Sequence, residues 1–192
     1  MSFAASHMCD RSLESRVRQL EDRDSIRELV GHYGYVIDNR DIDGLTELFT
    51  HDAVLQSADG VMDARGRDAI VEMYRGRLAV LGPSFHFTHD HAIAFEAEEP
   101  DLASGIIAAH AEVSRNNQTM LAAIRYHDRY RRHSGQWRFT KRVITFFYYT
   151  PVADYVDTMN GVLRQRAYGD QRSADWPESL ATWQRYHESP PK

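Results

Sequence analysis

Histidine and aspartate move protons near neutral pH, and this sequence gathers them at a few places. Asp38 closes an apolar run that holds Tyr33, Val36 and Ile37. Residues 86–91 read HFTHDH, three histidines in six positions. In a strand, His86, Thr88 and Asp90 share one face while Phe87, His89 and His91 share the other. Parity alone does not say which face is concave. His110 stands in the apolar stretch IIAAHAEV (106–113). Arg142 alternates with Ile144, Phe146 and Tyr148 in RFTKRVITFFYYTP (138–151). A cation on so aromatic a face must find an acceptor or stay wet.

Each residue also has a plainer reading. Asp38 follows Tyr33 by five residues, a helical rotation of about 140°, so the two share a site only if the helix ends between them. Otherwise Asp38 is an exposed turn aspartate. A lone strand histidine such as His110 is commonly hydrogen-bonded and silent, and Arg142 could snorkel to solvent. His89 and His91 project together, but zinc wants three or four converging ligands. No HxxxH, HExxH or cysteine set is present, so no metal is expected.

Together the residues say more. An aspartate, two histidines, a tyrosine and an arginine come from one helix end and three later strands, which a sheet curled over a helix can converge on one cavity. A histidine held by a buried aspartate is oriented and more basic, as proton abstraction from carbon requires. Tyr33 and Arg142 could then stabilise an enolate oxyanion. No Ser, Cys or Gly-rich motif argues for a covalent nucleophile or a nucleotide, and no cofactor is implied.

The elements that must position these groups can be read from periodicity. Val17, Leu20, Ile26, Leu29, Val30 and Tyr33 recur at helical spacing from Ser12 to about Val36. Asp24 and Ser25 are a plausible break, with Asp24 as a second N-cap. A short helix runs through Leu45, Leu48 and Phe49, and a short strand over 53–57. A helix over 67–81 buries Ile70, Val71, Tyr74, Leu78 and Leu81, and Gly82-Pro83 stops it. The period then becomes two, predicting strands at 85–97, 103–115, 118–133 and 136–149, joined at Glu99-Pro100-Asp101, Asn116-Asn117 and Ser134-Gly135. Helices followed by a long meander indicate an α+β fold, helices on one face of a curved sheet. Helices are expected again at 153–166 and at 176–186, where a proline stands near the start.

The bulk properties exclude several functions. The 192 residues are 42% hydrophobic and carry a formal charge of −5 without any basic block. Nucleic-acid binding needs a concentrated positive face. The single cysteine, Cys9, can form no internal disulfide. No apolar run approaches the roughly 18 residues of a membrane span, and MSFAASHM has neither the charge nor the apolar core of a signal peptide. A cytoplasmic protein is expected, with a leader or tag remnant over 1–10, a folded domain over 11–150 and a helical extension over 151–192.

The stretch IRELVGHYGYVIDNRDIDGLTELFTHDAV (26–54), the helix GRDAIVEMY (66–74), His86 with a polar residue four later, and the Gly-x-Trp hairpin YRRHSGQWRFTKR (130–142) occur in an order that resembles the SnoaL-like branch of the NTF2-like superfamily. The resemblance spans about residues 13–150 and implies an NTF2-like cone, a strongly curved, mostly antiparallel sheet enclosing a pocket. Within the superfamily the pattern is similar to the scytalone dehydratase, bile-acid 7α-dehydratase and hexachlorocyclohexane dehydrochlorinase families. Their Asp–His dyad falls on Asp38 and His86, with Tyr33, His110 and Arg142 at accessory positions. Asp90 replaces the asparagine expected in the bile-acid family. The resemblance implies a cofactor-independent lyase acting on a hydrophobic cyclic hydroxy-carbonyl compound such as a steroid or polyketide. Tyr33 or His110 would protonate the leaving hydroxyl or hold a carbonyl oxygen, Arg142 would offset negative charge in the pocket or bind a substrate carboxylate, and Phe85, Phe87, Tyr126, Phe146 and Tyr148 would form walls. The same scaffold serves isomerases and non-catalytic binding or assembly modules. A homo-oligomer is expected, a trimer by resemblance and otherwise a dimer.

Overall fold

The computed structural model describes residues 12–188, so the expected leader, with Cys9, lies outside it. Helix α1 spans Leu13–Asp38, and the Ser12 hydroxyl caps it by accepting from the Ser15 N–H at 3.2 Å. It passes Asp24 and Ser25 without a break, since neither a proline nor a glycine interrupts the ladder there. Its buried face begins only at Asp22. Val17 and Leu20, expected in the stripe, are 44% and 65% exposed because the first turns meet no other described element closely.

Helix α2 (Ile42–Leu48) is capped by Asp41, which accepts from the Gly44 N–H at 2.8 Å. Strand β1 (Phe49–Ser57) forms a hairpin with β2 (Asp63–Arg65), a strand too short to show a period. Helix α3 (Arg67–Val80) follows Gly66, whose φ of 89° suits glycine. The chain then enters β3 (Leu81–Phe95) directly, so Gly82-Pro83 lies inside a strand and not in a turn. Proline is tolerated there because β3 is the sheet edge and lacks a neighbour on one side. β4 (Leu102–Arg115), β5 (Gln118–His133) and β6 (Gln136–Pro151) complete the meander. Asn116-Asn117 and Ser134-Gly135 all have positive φ, as tight hairpins require.

The six strands run in the order β2-β1-β6-β5-β4-β3, with β1 parallel to β6 and every other pair antiparallel. Helices pack on the concave face, giving the α+β architecture. Several irregularities in the ladders curl the sheet and shift side-chain parity, and two of them bear on the site. One lies in β3 between Thr88 and His91, the other where Ala123 and Ile124 face Tyr148 and Phe146.

Asp22 fastens the far hairpin to α1. Its Oδ1 accepts from the Trp137 indole N–H at 2.9 Å and from the Arg132 guanidinium at 2.6 Å. Among the described residues no helix is long and apolar enough to cross a membrane.

The extension is less helical than its sequence pattern. A single 3-10 turn (Val152–Asp154) precedes α4 (Tyr155–Thr158), and α5 covers Ala181–Glu188. Between these helices the chain completes the β6 edge beyond the last β1 pairing, Ser57 with Ile144. Tyr149 N–H donates to Arg164 C=O at 3.0 Å, and Arg166 N–H returns to Tyr149 C=O at 2.7 Å. Asp175 accepts from Phe146 N–H at 2.6 Å. Those edge bonds, and the Arg164 guanidinium bound to Phe147 C=O and Glu178, hold the segment extended where a helix over 153–166 was expected.

Asp22→Ala strips a buried indole N–H of its acceptor and leaves the Arg132 guanidinium with Asp101 alone. It is expected to cost about 1–3 kcal/mol, read from urea unfolding.

Candidate active site

The end of α1 is clamped to the start of β3. Arg40, with φ 60°, turns back so that its guanidinium donates to Ile37 C=O at 2.9 Å, Gly82 C=O at 2.5 Å and Ser84 Oγ at 3.1 Å. Asp38 therefore faces β3 and accepts three hydrogen bonds. They come from Ser84 Oγ at 2.8 Å, from the His86 backbone N–H at 2.8 Å and from His86 Nδ1 at 2.6 Å. One turn earlier, Gly34 packs against His86, where an added Cβ would lie 3.4 Å from His86 Cβ, in ordinary contact.

Burial pushes the Asp38 carboxyl up, but the His86 ring, its charge and backbone N–H, and Ser84 outweigh it and hold the pKa below the ordinary 3.8. An ionised Asp38 can only accept, so Nδ1 of His86 carries a hydrogen, and in the neutral ring the lone pair is on Nε2. Both side chains are largely shielded, at 15% and 12% exposure.

His86 borders a cavity of about 70 Å³ that opens to solvent. Tyr33, Tyr74 and Tyr126 supply its polar surface beside Ser84, and Ile124, Ile144 and Phe146 much of its apolar wall. The Tyr33 and Tyr74 hydroxyls are hydrogen-bonded to each other. Burial drives the Tyr74 and Tyr126 hydroxyls well above their ordinary pKa, so both remain protonated donors.

Arg142 faces inward but does not reach the cavity wall. It is wholly buried, with Nε and Nη2 donating to Asp128 at 2.9 and 2.6 Å. Its guanidinium lies 4.1–4.2 Å from the ring centres of Tyr33, Tyr126 and Phe139. Burial alone would favour loss of its proton; the Asp128 carboxylate outweighs this and keeps it charged. The expectation that Arg142 meets a substrate carboxylate is therefore corrected: Asp128 already occupies it. It reaches the cavity only through the tyrosines stacked on it. Tyr130 donates to Asp128 at 2.9 Å and lies 3.1 Å from His91 Nε2. Only glycine fits at 105, where a Cβ would come within 2.7 Å of both partners. Burial pushes His91 down to about 4, so it is neutral at physiological pH.

Four expected site residues lie elsewhere, and parity explains each. The β3 irregularity turns His91 inward and leaves His89 outside, separating a pair expected to project together. On the convex face, His89 Nε2 meets His110 Nδ1 at 2.9 Å. His110 pairs across from Phe87, so it is a convex-face residue and not part of the cavity. Phe85 and Phe87 share that face at 52% and 37% exposure and form no wall. The β6 irregularity sends Tyr148 outward against Tyr155, with 5.5 Å between ring centres, and brings Tyr149 into the cavity. Asp90 is exposed. Among the described residues no three His, Cys, Asp or Glu side chains converge as a metal site needs.

Sequence reasoning missed Ser84, Tyr74, Arg40 and Asp128. Ser84 shares His86's parity, and Asp128 alternates with Tyr126 and Tyr130, so both carried a readable signal. The contacts of Arg40 carried none.

A family model for the SnoaL-like domain matches residues 18–143. The chain belongs to the SnoaL-like family. This SnoaL-like protein is 26% identical over 143 residues to the γ-hexachlorocyclohexane dehydrochlorinase of Sphingobium indicum, covering 72% of this chain and 89% of that one. A type 2 hexachlorocyclohexane dehydrochlorinase superposes with a TM-score of 0.67 at 22% identity, over 71% of this chain and 93% of its own. A Novosphingobium aromaticivorans structure named for scytalone dehydratase gives a TM-score of 0.66 at 21% identity, over 85% and 97%. Homologues of the SnoaL-like protein are thus named as elimination enzymes, and the superpositions carry the fold.

Asp128→Ala leaves the Arg142 charge buried and unpaired, and is expected to destabilise by about 3–5 kcal/mol. Replacing both residues, Asp128→Leu with Arg142→Met, should restore much of that loss, as read by chemical denaturation. For Asp38 the depressed pKa makes the carboxylate's contribution fully present above 3.8. It fades as pH falls through the lower folded-state value. The stability gap between wild type and Asp38→Asn should therefore shrink on acidification below that point.

Proposed function

We propose that this protein is a cofactor-independent lyase, a dehydratase that removes water from a hydrophobic cyclic hydroxy-carbonyl compound of the steroid or polyketide kind. One observation carries the reading: an imidazole oriented by a largely shielded carboxylate at 2.6 Å borders an apolar cavity that also holds four tyrosines.

The substrate carbonyl acidifies the adjacent C–H. His86 Nε2 takes that proton, and the Asp38 carboxylate stabilises the imidazolium formed. A tyrosine hydroxyl donates to the enolate oxygen. Collapse of the enolate forms the C=C bond and expels the β-hydroxyl, which leaves as water after receiving a proton from His86 or from the Tyr33–Tyr74 pair. The balance is one C–H and one C–O bond broken, one C=C formed and one water released. The elimination enzymes among the relatives support this class of step. The convex-face position of His110 removes it as the acid.

His86→Ala should lower kcat by about 10²–10⁴ on a panel of β-hydroxy ketones and hydroxysteroids, with thermal unfolding little changed. Reaction in D₂O decides the chemistry. Deuterium uptake without water loss would replace the lyase by an isomerase. Tight wild-type binding with no turnover at all would replace it by a binding module.

A further inference from the structure

At the end of the cavity away from Arg142, Leu81 pairs with Arg115 and β6 finishes at Pro151. Arg77, in the last turn of α3, lines the cavity there and is partly exposed. Arg115 shares the inward face of β4 with Ala111 and Val113, both cavity residues. Its guanidinium lies 4.7 Å from the ring centre of Tyr168, which the extension brings to this end. Arg115 Nε is buried without a hydrogen-bond partner. Among the described residues neither arginine has a carboxylate within ion-pair distance, whereas the inward-facing Arg142 is paired with Asp128. Tyr149 lines the cavity beside them. Burial raises its hydroxyl pKa, and the charge and hydrogen bond of Arg115, then the charge of Arg77, pull against that rise.

The whole chain carries −5, so two unneutralised guanidiniums and a protonated phenol at one end of an apolar cavity are a local reversal of sign. We propose that Arg77, Arg115 and Tyr149 bind a carboxylate of the substrate, so that the compound processed is a hydrophobic acid whose anionic end stays at the mouth. The apolar body then extends inward to His86. This rests on the reading of the cavity as the substrate site. It assigns to these residues the carboxylate contact that Arg142, enclosed by Asp128 and three aromatic rings, does not make. Two arginines offer enough donors for both carboxylate oxygens, and the carbonyl to be enolised is left for the buried tyrosines.

The test uses 2-naphthoate and its methyl ester, which share an apolar body and differ in charge, with binding measured by equilibrium dialysis on the full chain. Wild type should bind the acid about tenfold or more tightly than the ester, and added salt should narrow the gap. Arg77→Gln with Arg115→Gln should abolish the preference while leaving ester binding in place, and the double Lys variant should recover part of it. His86→Ala should keep the preference intact. Equal binding of acid and ester by wild type overturns the proposal, as does a preference that survives in the double Gln variant or failure of both compounds to bind. The two readings separate cleanly. Turnover of neutral substrates with no acid preference leaves the lyase and removes the anion site; an acid preference without turnover of any substrate does the reverse.

Discussion

A carboxylate withdrawn from water needs other donors around it, and Asp38 finds three within one short piece of β3. Two of them, Ser84 Oγ and the His86 backbone N–H, fix the strand; the third, His86 Nδ1, fixes the ring. The same carboxylate thus joins helix to sheet and sets the histidine tautomer. Much of the neighbouring architecture serves that contact. Arg40 brings the helix end and the strand start together. The direct passage from α3 into β3 places Ser84 and His86 on an edge strand opposite α1.

A second buried charge does a different job. Arg142 is neutralised by Asp128 and enclosed by three aromatic rings, so its field acts on Tyr33 and Tyr126 from behind. That arrangement opposes the rise that burial imposes on Tyr126. It leaves the phenol a stronger hydrogen-bond donor than it would be in a purely apolar pocket. The network through Tyr130 and neutral His91 holds the Asp128 carboxylate in turn. Electrostatic support can therefore reach the cavity without an exposed cation that water or substrate could screen.

The dyad was legible in the sequence because its two members belong to separate, strongly patterned elements: an apolar helical stripe that stops at Asp38, and a strand that opens with His86. The α+β meander followed from a clean change of period and from turn residues at Asn116-Asn117 and Ser134-Gly135. What failed was parity over distance. Counting by twos carries a residue from one face to the other correctly only until an extra residue enters the ladder. The extra residues between Thr88 and His91 in β3 and between Phe146 and Tyr148 in β6 are marked by no unusual amino acid. His91 and Tyr149 therefore turned inward, and Tyr148 outward, unannounced. His110 and the Phe85–Phe87 pair failed differently, since parity never told which side of β3 and β4 was concave. Arg142 was placed on the correct face, but its side chain was already claimed by Asp128, a partner 14 residues away in sequence on the adjacent strand. The extended course of 163–175 was hidden because its order comes from the β6 edge and not from its own periodicity.

The family match ends at residue 143, whereas Phe146, Tyr149 and Tyr168 lie beyond it. Asp38, His86, Tyr33, Tyr74, Tyr126 and Arg142 all fall inside the matched span. The family model thus spans the Asp38–His86 pair, and one side of the cavity is finished by residues outside that span. The extension shapes this end by supplying the edge bonds that a free β6 would lack, which positions Phe146 and Tyr149 as cavity walls. Likeness to elimination enzymes therefore bears on what can happen at His86. It bears far less on which compound is admitted, because that depends on a rim built partly from chain outside the matched domain.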